Sequence, residues 1–541
     1  MTYVDTIIQT AVVLGGTLIL AVPFGLYMAR MISYEIRPLE RTLAIVENKF
    51  YKLVGIDSNR QMTWKEYLFA LLLVDGIVAA IFFIIVSTQN MLPLATPGLE
   101  NFSIDLAFMQ ASSFITNTDL QHYIGDQQLS NLSQMVAIIF IMFVAPASAI
   151  AVSFAFIRAF IRKNFGLGNF YVDFTRIIIT LLLPVAFISS LLLMVLGAPQ
   201  TLESSLTVNT LEGNEQVITT GPVASLESIK DLGSNGGGFF GSNSAHPYEN
   251  PNGLSNAYEI FLMLIIPLSL PIAYAKLVGK GRGVSLLIAI LIGFGIAFAI
   301  ALSQVSGPDL LETRFGSFGS IFFNIASIES NTGSANSALA GMSPNAVIAL
   351  FLGMFVQAIP GAVGTGMMTM IIYVILTLFI VGLMVGKTPE FMSMKISPRD
   401  IKLSAIIFLV HPAIILIPTV LAFVTENVQA ITEGEITPFT YTEVLYEFTS
   451  AAANNGSDYF GTSADTPFWN WSTGIVMLLG RFVPLGLMLA IAGSFTLKDR
   501  KEVIEPIKTQ GPLFISVLVV ITFLLTALTF FPFIVIGPFS M

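Results

Sequence analysis

The chain has no cysteine and only three histidines, and charged residues fill 11% of its 541 positions. Without cysteine there can be no disulfide, thiolate metal site or cysteine nucleophile. His122, His246 and His411 are scattered, with no partner at ligand spacing, so no histidine metal site can be read. A soluble protein carries about a quarter charged residues, so this composition excludes an ordinary soluble fold. The net charge of −9 argues against nucleic acid as a partner. A phosphate loop is missing too: the nearest match, Gly386-Lys387-Thr388, has Val381 where the first glycine would stand. No nucleophile–base pair and no phosphorylatable aspartate motif can be read either. An ATP-driven process would therefore draw its energy from another chain.

What the sequence has in abundance is apolar surface. Hydrophobic residues make up 54% of the chain, and mean hydropathy is +0.80. Those values describe an all-α polytopic membrane protein, one transmembrane domain over residues 1–541 with the lipid bilayer as its solvent. A helix crosses the bilayer core with about twenty apolar residues. Ten runs qualify: 7–29, 68–87, 135–157, 177–197, 257–275, 284–304, 346–385, 402–424, 473–496 and 513–533. The first lacks a basic flank and a small-residue cleavage site, so it reads as a retained helix rather than a signal peptide. The seventh is too long for one crossing. Pro360, Gly361, Gly364 and Gly366 lie near its middle, and a break is expected there because proline removes a backbone donor and glycine loosens the helix.

Basic residues choose the orientation. Arg30, Arg37, Arg41, Lys49 and Lys52 fall in one set of loops, with Arg158, Arg162, Lys163 and Arg176, then Lys276, Lys280 and Arg282. Lys387, Lys395, Arg399 and Lys402 continue the set, which ends with Lys498, Arg500 and Lys501. The alternate loops are nearly free of them, Lys230 and Arg314 excepted. This predicts that the basic loops face the cytoplasm and both termini lie outside.

Four short polar turns then fall on the outer side: Asn117-Thr118-Asp119, Ser234-Asn235-Gly236, Asn331-Thr332-Gly333 and Asn454-Asn455-Gly456. Each follows a stretch fit for a short re-entrant helix, at 104–115, 223–232, 318–328 and 442–452. Any one such turn is an ordinary surface turn. Four, at matching places about a hundred residues apart, point to a ring of backbone carbonyls that replaces water around a monovalent cation. The arrangement predicted is pseudo-fourfold: about ten transmembrane helices, with four helix–pore-loop–helix repeats at 68–157, 177–275, 284–385 and 402–496. One helix leads them and one closes.

Asp75 and Arg481 are ionisable residues inside expected spans, and intramembrane charge is costly and often functional. An interhelical pair is one reading; for Arg481, a fixed positive charge that repels a cation from a direct path is another. Glu329, just before the third turn, serves either as an anchor for its short helix or in the site itself.

Certain stretches resemble a known family. These are Thr116 to Gln121, Gly168-Asn169-Phe170-Tyr171-Val172-Asp173, Ser234 to Phe240 with Ser244 to Pro251, Gly386 to Phe391, and Ala451 to Gly456. Over nearly the whole length the chain resembles the potassium-binding subunit of the Kdp potassium-transporting P-type ATPase. That resemblance implies a channel-like subunit of an ATP-driven, high-affinity potassium uptake pump in a bacterial or archaeal cytoplasmic membrane. It implies potassium as the transported ion, a P-type ATPase catalytic subunit and small accessory membrane subunits as partners, and no chemistry in this chain. It assigns the four turns to the selectivity filter. It assigns the break at Pro360, Gly361 and Gly364, with Gln357, to the gate and ion path; Arg481 is placed there by the reading of its intramembrane charge above. The chain departs from the family pattern at Asp119, in the neighbours of Gly333, and at Gln357, where an acidic residue is usual. A stand-alone potassium channel or symporter of the same four-repeat build is the alternative reading, separated by whether the isolated chain conducts potassium without ATP. A membrane-embedded enzyme is a third class, for which no catalytic constellation is found.

Overall fold

The computed structural model of the protein describes residues 3–35, 41–95, 98–161, 166–302, 312–432, 436–500 and 507–536. Arg37, Arg162, Lys163 and Lys501, placed in the basic loops above, lie outside the described residues, as does the expected end of the sixth span at 303–304.

Among the described residues, sixteen helices carry the architecture. The first six are α1 (Tyr3–Ile32), α2 (Arg41–Val54), α3 (Trp64–Ser87), α4 (Ile104–Ile115), α5 (Asn131–Arg158) and α6 (Phe170–Leu196). Next come α7 (Val223–Leu232), α8 (Gly253–Leu277), α9 (Lys280–Ala301), α10 (Gly316–Glu329) and α11 (Pro344–Val356). The chain finishes with α12 (Thr365–Val385), α13 (Pro398–Val424), α14 (Pro438–Ala453), α15 (Pro467–Thr496) and α16 (Pro512–Ile536). Ten of them are long and apolar enough to cross a membrane: α1, α3, α5, α6, α8, α9, α12, α13, α15 and α16. Nine match the runs expected within several residues at each end; of the seventh, 346–385, only the part from Thr365 to Val385 qualifies.

Local chemistry fixes where the helices start. Thr63 and Glu66 form a reciprocal capping box at α3, as do Ser397 and Asp400 at α13. Proline occupies the first turn of α11, α13, α14 and α15, where its missing N–H has no intrahelical partner to lose. Among the elements the sequence reading missed, two are prominent. One is amphipathic α2, too polar to register as a span. The other is an exposed antiparallel hairpin pairing Ser205–Asn209 with Glu215–Thr219.

The over-long seventh run divides as its glycines require. Helix α11 ends at Val356, α12 starts at Thr365, and Gln357 takes a left-handed conformation at φ 53°. A β-carbon on Gly364 would lie 2.6 Å from the Ala149 carbonyl oxygen of α5, and one on Gly361 would lie 2.3 Å from the Gln357 carbonyl oxygen. The break is therefore a tight, glycine-dependent loop packed into the bundle, as irregular backbone at membrane depth must be.

Helices α5 and α8 are buried along most of their length and form the centre. Helix α1 packs along α8, and α15 packs against α4, α13 and α14. The apolar faces of α3 and α13 look outward: Ile77, Ile81 and Ile84 are exposed on one, Ile417, Val420 and Val424 on the other. Short helices α4, α7, α10 and α14 enter this bundle, and their last turns are all buried.

Arg158 was read as a loop charge, and the structure corrects this. It ends α5 fully buried, gripping Asp173 of α6 through Nη1–Oδ2 at 2.6 Å and Nη2–Oδ1 at 2.7 Å. Its Nε donates to the Ile32 carbonyl at 2.7 Å, so it closes three helices together. Of Lys230 and Arg314, the two exceptions to the basic-loop pattern, the first is an internal charge too and the second is part-buried. Lys230 is fully buried among carboxylates, and Arg314 pairs with Glu312 and donates to the Asn250 carbonyl.

Candidate cation-binding ring

All four predicted turns close their short helices by one rule. The first residue of each turn has a left-handed backbone: Asn117 at φ 61°, Ser234 at 51°, Asn331 at 49° and Asn454 at 55°. The second residue donates its N–H to the carbonyl five positions back: Thr118 to Ser113 at 3.0 Å, Asn235 to Lys230 at 2.8 Å, Thr332 to Ser327 at 2.8 Å and Asn455 to Ser450 at 2.9 Å. This is the Schellman closure of a helix C-terminus. The third residue is again left-handed: Asp119 at 52°, Gly236 at 92°, Gly333 at 76° and Gly456 at 98°. Four segments with no simple sequence identity thus share one backbone path.

The turns meet each other in cyclic order. A β-carbon on Gly236 would lie 2.1 Å from the Thr332 carbonyl oxygen, one on Gly333 1.8 Å from that of Asn455, and one on Gly456 1.8 Å from that of Thr118. The third residue of each of these turns therefore abuts the second residue's carbonyl in the next. Asp119 occupies the third place of the first turn, where the others have glycine. Gly237, one residue further along the second turn, faces the Asp119 carbonyl oxygen, 2.9 Å from where its β-carbon would be.

Asparagine side chains staple the ring. Asn117 Nδ2 donates to the Gly233 carbonyl at 3.1 Å and also to that of Ser234; Asn331 Nδ2 donates to Ala453 at 3.2 Å. Asn454 Nδ2 reaches Thr118 Oγ1 at 3.0 Å, and Asn455 Nδ2 reaches the Ile328 carbonyl at 3.3 Å. The second position alternates threonine and asparagine around the ring, a twofold pattern inside the fourfold one. In the threonine turns a hydroxyl two residues earlier braces it: Thr116 to Thr118 at 2.7 Å, Ser330 to Thr332 at 2.8 Å.

The ring's electrostatics favour a cation. Four helix C-termini converge on it, each bringing partial negative charge. Its buried side-chain atoms without a hydrogen-bond partner are all oxygens, from Asn117, Asp119, Ser234, Asn235 and Asn331. Burial pushes the Asp119 carboxyl well above the usual carboxylate range, against a smaller opposing pull from Arg481.

Two cavities flank the ring. One, of about 460 Å³, is lined by Asp119, Asp126, Asn243, His246, Gly456 and Asp458. Asp458 is also pushed up, first by burial and then by the neighbouring Glu447. The other cavity, of about 50 Å³, is lined by Asn454, Gln357, Thr365, His411, Gly480 and Arg481. So the break residue Gln357 and the intramembrane arginine do meet on one side of the ring. Pro360, Gly361 and Gly364 lie in the same break, and the Gly361 N–H donates to the Glu329 carbonyl at 2.8 Å, joining the break to the end of α10.

Arg481 Nη2 donates to the Ala145 carbonyl at 3.2 Å, and Asp75 Oδ1 accepts from Ser148 at 2.7 Å. The two charges dock one turn apart on α5. The Glu329 side chain is fully buried, with both carboxylate oxygens unpartnered among the described residues. Of the histidines, His122 faces Glu447 at 3.6 Å and Asn470 at 2.7 Å, His246 stacks on Phe240 with centroids 3.7 Å apart, and His411 lines the smaller cavity.

Residue-level reading missed Gln121 and Gly480. Gln121 bridges the first and second turns: its Nε2 donates to the Gly238 carbonyl and its Oε1 accepts the Gly238 N–H, both at 3.0 Å. Its place just past the first polar turn was the available signal. A β-carbon on Gly480 would lie 2.2 Å from the Ala452 carbonyl, so this glycine lets α15 press against the end of α14.

Comparison with known proteins shows the family and the fold. The family model described as "Potassium-transporting ATPase A subunit" matches residues 11–540. A curated relative from Caldanaerobacter subterraneus subsp. tengcongensis, named "Potassium-transporting ATPase potassium-binding subunit", is 39% identical over 96% of each chain. The crystal structure of the potassium transporter TrkH from Vibrio parahaemolyticus superposes with a TM-score of 0.54 over 91% of this chain and 100% of that one. At 14% identity the TrkH likeness speaks for the fold.

Proposed function

We propose, from the premise that the chain belongs to the potassium-transporting ATPase A-subunit family, that it is the potassium-binding and translocating subunit of an ATP-driven uptake pump. The four units run over 68–157, 177–275, 284–385 and 402–496, and their turns form the filter. Potassium sheds its water there and takes up carbonyl oxygens in its place. The observation that carries this reading is the cyclic contact of Gly236, Gly333 and Gly456 with the carbonyls of Thr332, Asn455 and Thr118. A ring so close-packed has no room for a β-carbon. It holds its oxygens at a fixed spacing, and the number and field strength of those oxygens set selectivity.

The larger cavity, with Asp119, Asp126 and Asp458, faces outward in this reading and offers carboxyl oxygens to an arriving cation. The chain lies in a bacterial or archaeal cytoplasmic membrane with both termini outside and the basic loops inside. Below the filter the break at Gln357–Gly364 and the Arg481 guanidinium stand in the direct path. They turn the ion sideways, to a partner P-type ATPase subunit that hydrolyses ATP, with small accessory membrane subunits completing the complex. This chain performs no covalent chemistry.

The test is potassium-stimulated ATP hydrolysis by the assembled complex, measured against sodium, with the isolated chain in liposomes as the counterpart. Potassium-selective stimulation of the complex and no ATP-independent flux through the isolated chain are expected. Free potassium flux through the isolated chain would overturn the pump assignment in favour of a channel.

A further inference from the structure

Three carboxylates outside the ring converge where the proposed transport path makes no use of them. Glu227 and Asp231 stand one turn apart on α7, and Glu259 lies in the second turn of α8. One oxygen from each comes within 4.8 Å of the others. Glu249 and Lys230 adjoin them, and all five side chains are fully buried.

The hydrogen bonds can be accounted for donor by donor. The Lys230 ammonium donates to Ser244 Oγ at 2.8 Å and to Glu249 Oε2 at 3.1 Å, and lies 2.5 Å from Glu227 Oε1 as an ion pair. The other Glu249 oxygen accepts the Phe240 N–H at 2.7 Å. Ser244 lies beside Glu259 too, but its single hydroxyl proton goes to Glu227 Oε1 at 2.7 Å. Glu227 Oε2, both oxygens of Asp231 and both of Glu259 are left without a hydrogen-bond partner among the described residues. Four carboxylates face one ammonium in a volume closed to solvent. Buried charge persists only when it is paired or coordinates a metal.

We propose that Glu227, Asp231 and Glu259 bind a hard divalent cation of the magnesium or calcium class, which stays in place while potassium moves. The donor set is oxygen alone, the chemistry such ions take. A monovalent ion would leave twice the net negative charge that a divalent one leaves. Five free oxygens on three carboxylates supply most of the six to eight that calcium accepts, or a partial set that waters complete around magnesium.

The site's position gives the ion a task. Asp231 accepts the Ser234 N–H through its carbonyl at 3.3 Å, at the start of the second turn. Ser244 meets Ser334, the residue after Gly333, at 2.9 Å. The ion therefore braces the second and third turns from behind and contributes no ligand to the transported ion.

The experiment is elemental analysis of the assembled, detergent-purified complex after desalting. It is paired with thermal unfolding before and after EDTA and after refilling with calcium or magnesium chloride, at constant potassium. Stoichiometric calcium or magnesium is expected, with a lower melting temperature after chelation that the matching ion restores. Glu259→Gln and Asp231→Asn should lose the bound metal and the response to EDTA, while Glu443→Gln, on α14, keeps both. No divalent metal above background, with a melting temperature indifferent to EDTA, overturns the proposal and leaves protons as the neutralising charge. Stabilisation that follows potassium alone overturns it as well. The wild-type measurement decides the matter even where a variant fails to fold.

Discussion

The carbonyl oxygen of Asn455 sits 1.8 Å from where Gly333 would carry a β-carbon, so the third and fourth turns touch backbone to backbone. Replacing Gly333 by alanine has to move one turn away from the other. The left-handed backbone, at φ 76°, adds a steric cost of about 1–2 kcal/mol. The expected outcome is a fall in apparent potassium affinity of about tenfold or more, about 1.4 kcal/mol, with preference over sodium reduced. Gly213→Ala is the control: it too is left-handed, at φ 84°, but open space surrounds it. Potassium-stimulated ATP hydrolysis should be unaffected there. Equal effects at the two positions would mean that strain, and not the contact with Asn455, is responsible.

If the ring binds potassium as proposed, Asp119 is expected to make that binding depend on pH. Its carboxyl is held well above the usual range by burial, with Arg481 opposing more weakly. A cation in the ring favours the ionised form, so binding potassium expels a proton. Affinity therefore weakens as pH falls through the raised pKa and is regained as pH rises above it. Asp119→Asn, which cannot titrate, should flatten that part of the profile. Potassium-concentration curves at several pH values compare the two proteins, and an unchanged profile in the variant assigns the proton to another group.

The sequence reading located the four turns and the broken helix well because both rest on short-range rules. A polar residue that tolerates left-handed backbone, two positions before glycine, at the end of an apolar helix specifies the Schellman closure seen at Asn331 and Asn454. Pro360 and its flanking glycines mark a break by what they cannot do in a helix. Partnerships that depend on distant segments were not legible. Arg158 looks like a cytoplasmic anchor until Asp173 is seen across from it, and Lys230 looks misplaced until Glu249 and Glu227 surround it. Gly480 is one glycine among many in the chain, and only the carbonyl of Ala452 distinguishes it.

The buried Arg158–Asp173 pair governs stability at the basic end of the bundle. Asp173 also accepts from Tyr67 Oη at 2.9 Å, and the Arg158 guanidinium lies over the Tyr34 ring at 4.2 Å. Removing one partner leaves a buried charge alone, at a cost of about 3–5 kcal/mol. Asp173→Asn and Arg158→Met should each lower the melting temperature of the complex sharply. The double replacement should lose less than the two single losses together, since neither charge is then orphaned. Thermal unfolding of the four proteins closes the cycle, and simple additivity would show that the two side chains act independently.

Arg481 separates a barrier from a fastener. The residue is 4% exposed and lines the small cavity with Gln357 and Asn454, and a hydrogen bond ties its guanidinium to the Ala145 carbonyl. Arg481→Gln keeps a donor for that carbonyl and removes the charge. At an effective dielectric of about 20, a unit charge about 4 Å away opposes a cation by about 4 kcal/mol, so its loss opens the direct path measurably. An ATP-independent potassium leak through the reconstituted protein should rise by about tenfold or more, which requires only about 1.4 kcal/mol off the barrier. Arg481→Lys keeps the charge and should remain tight. If the glutamine variant leaks no more than the wild type while both variants lose thermal stability, the arginine holds α15 to α5 and the blockade belongs to the Gln357–Gly364 loop alone.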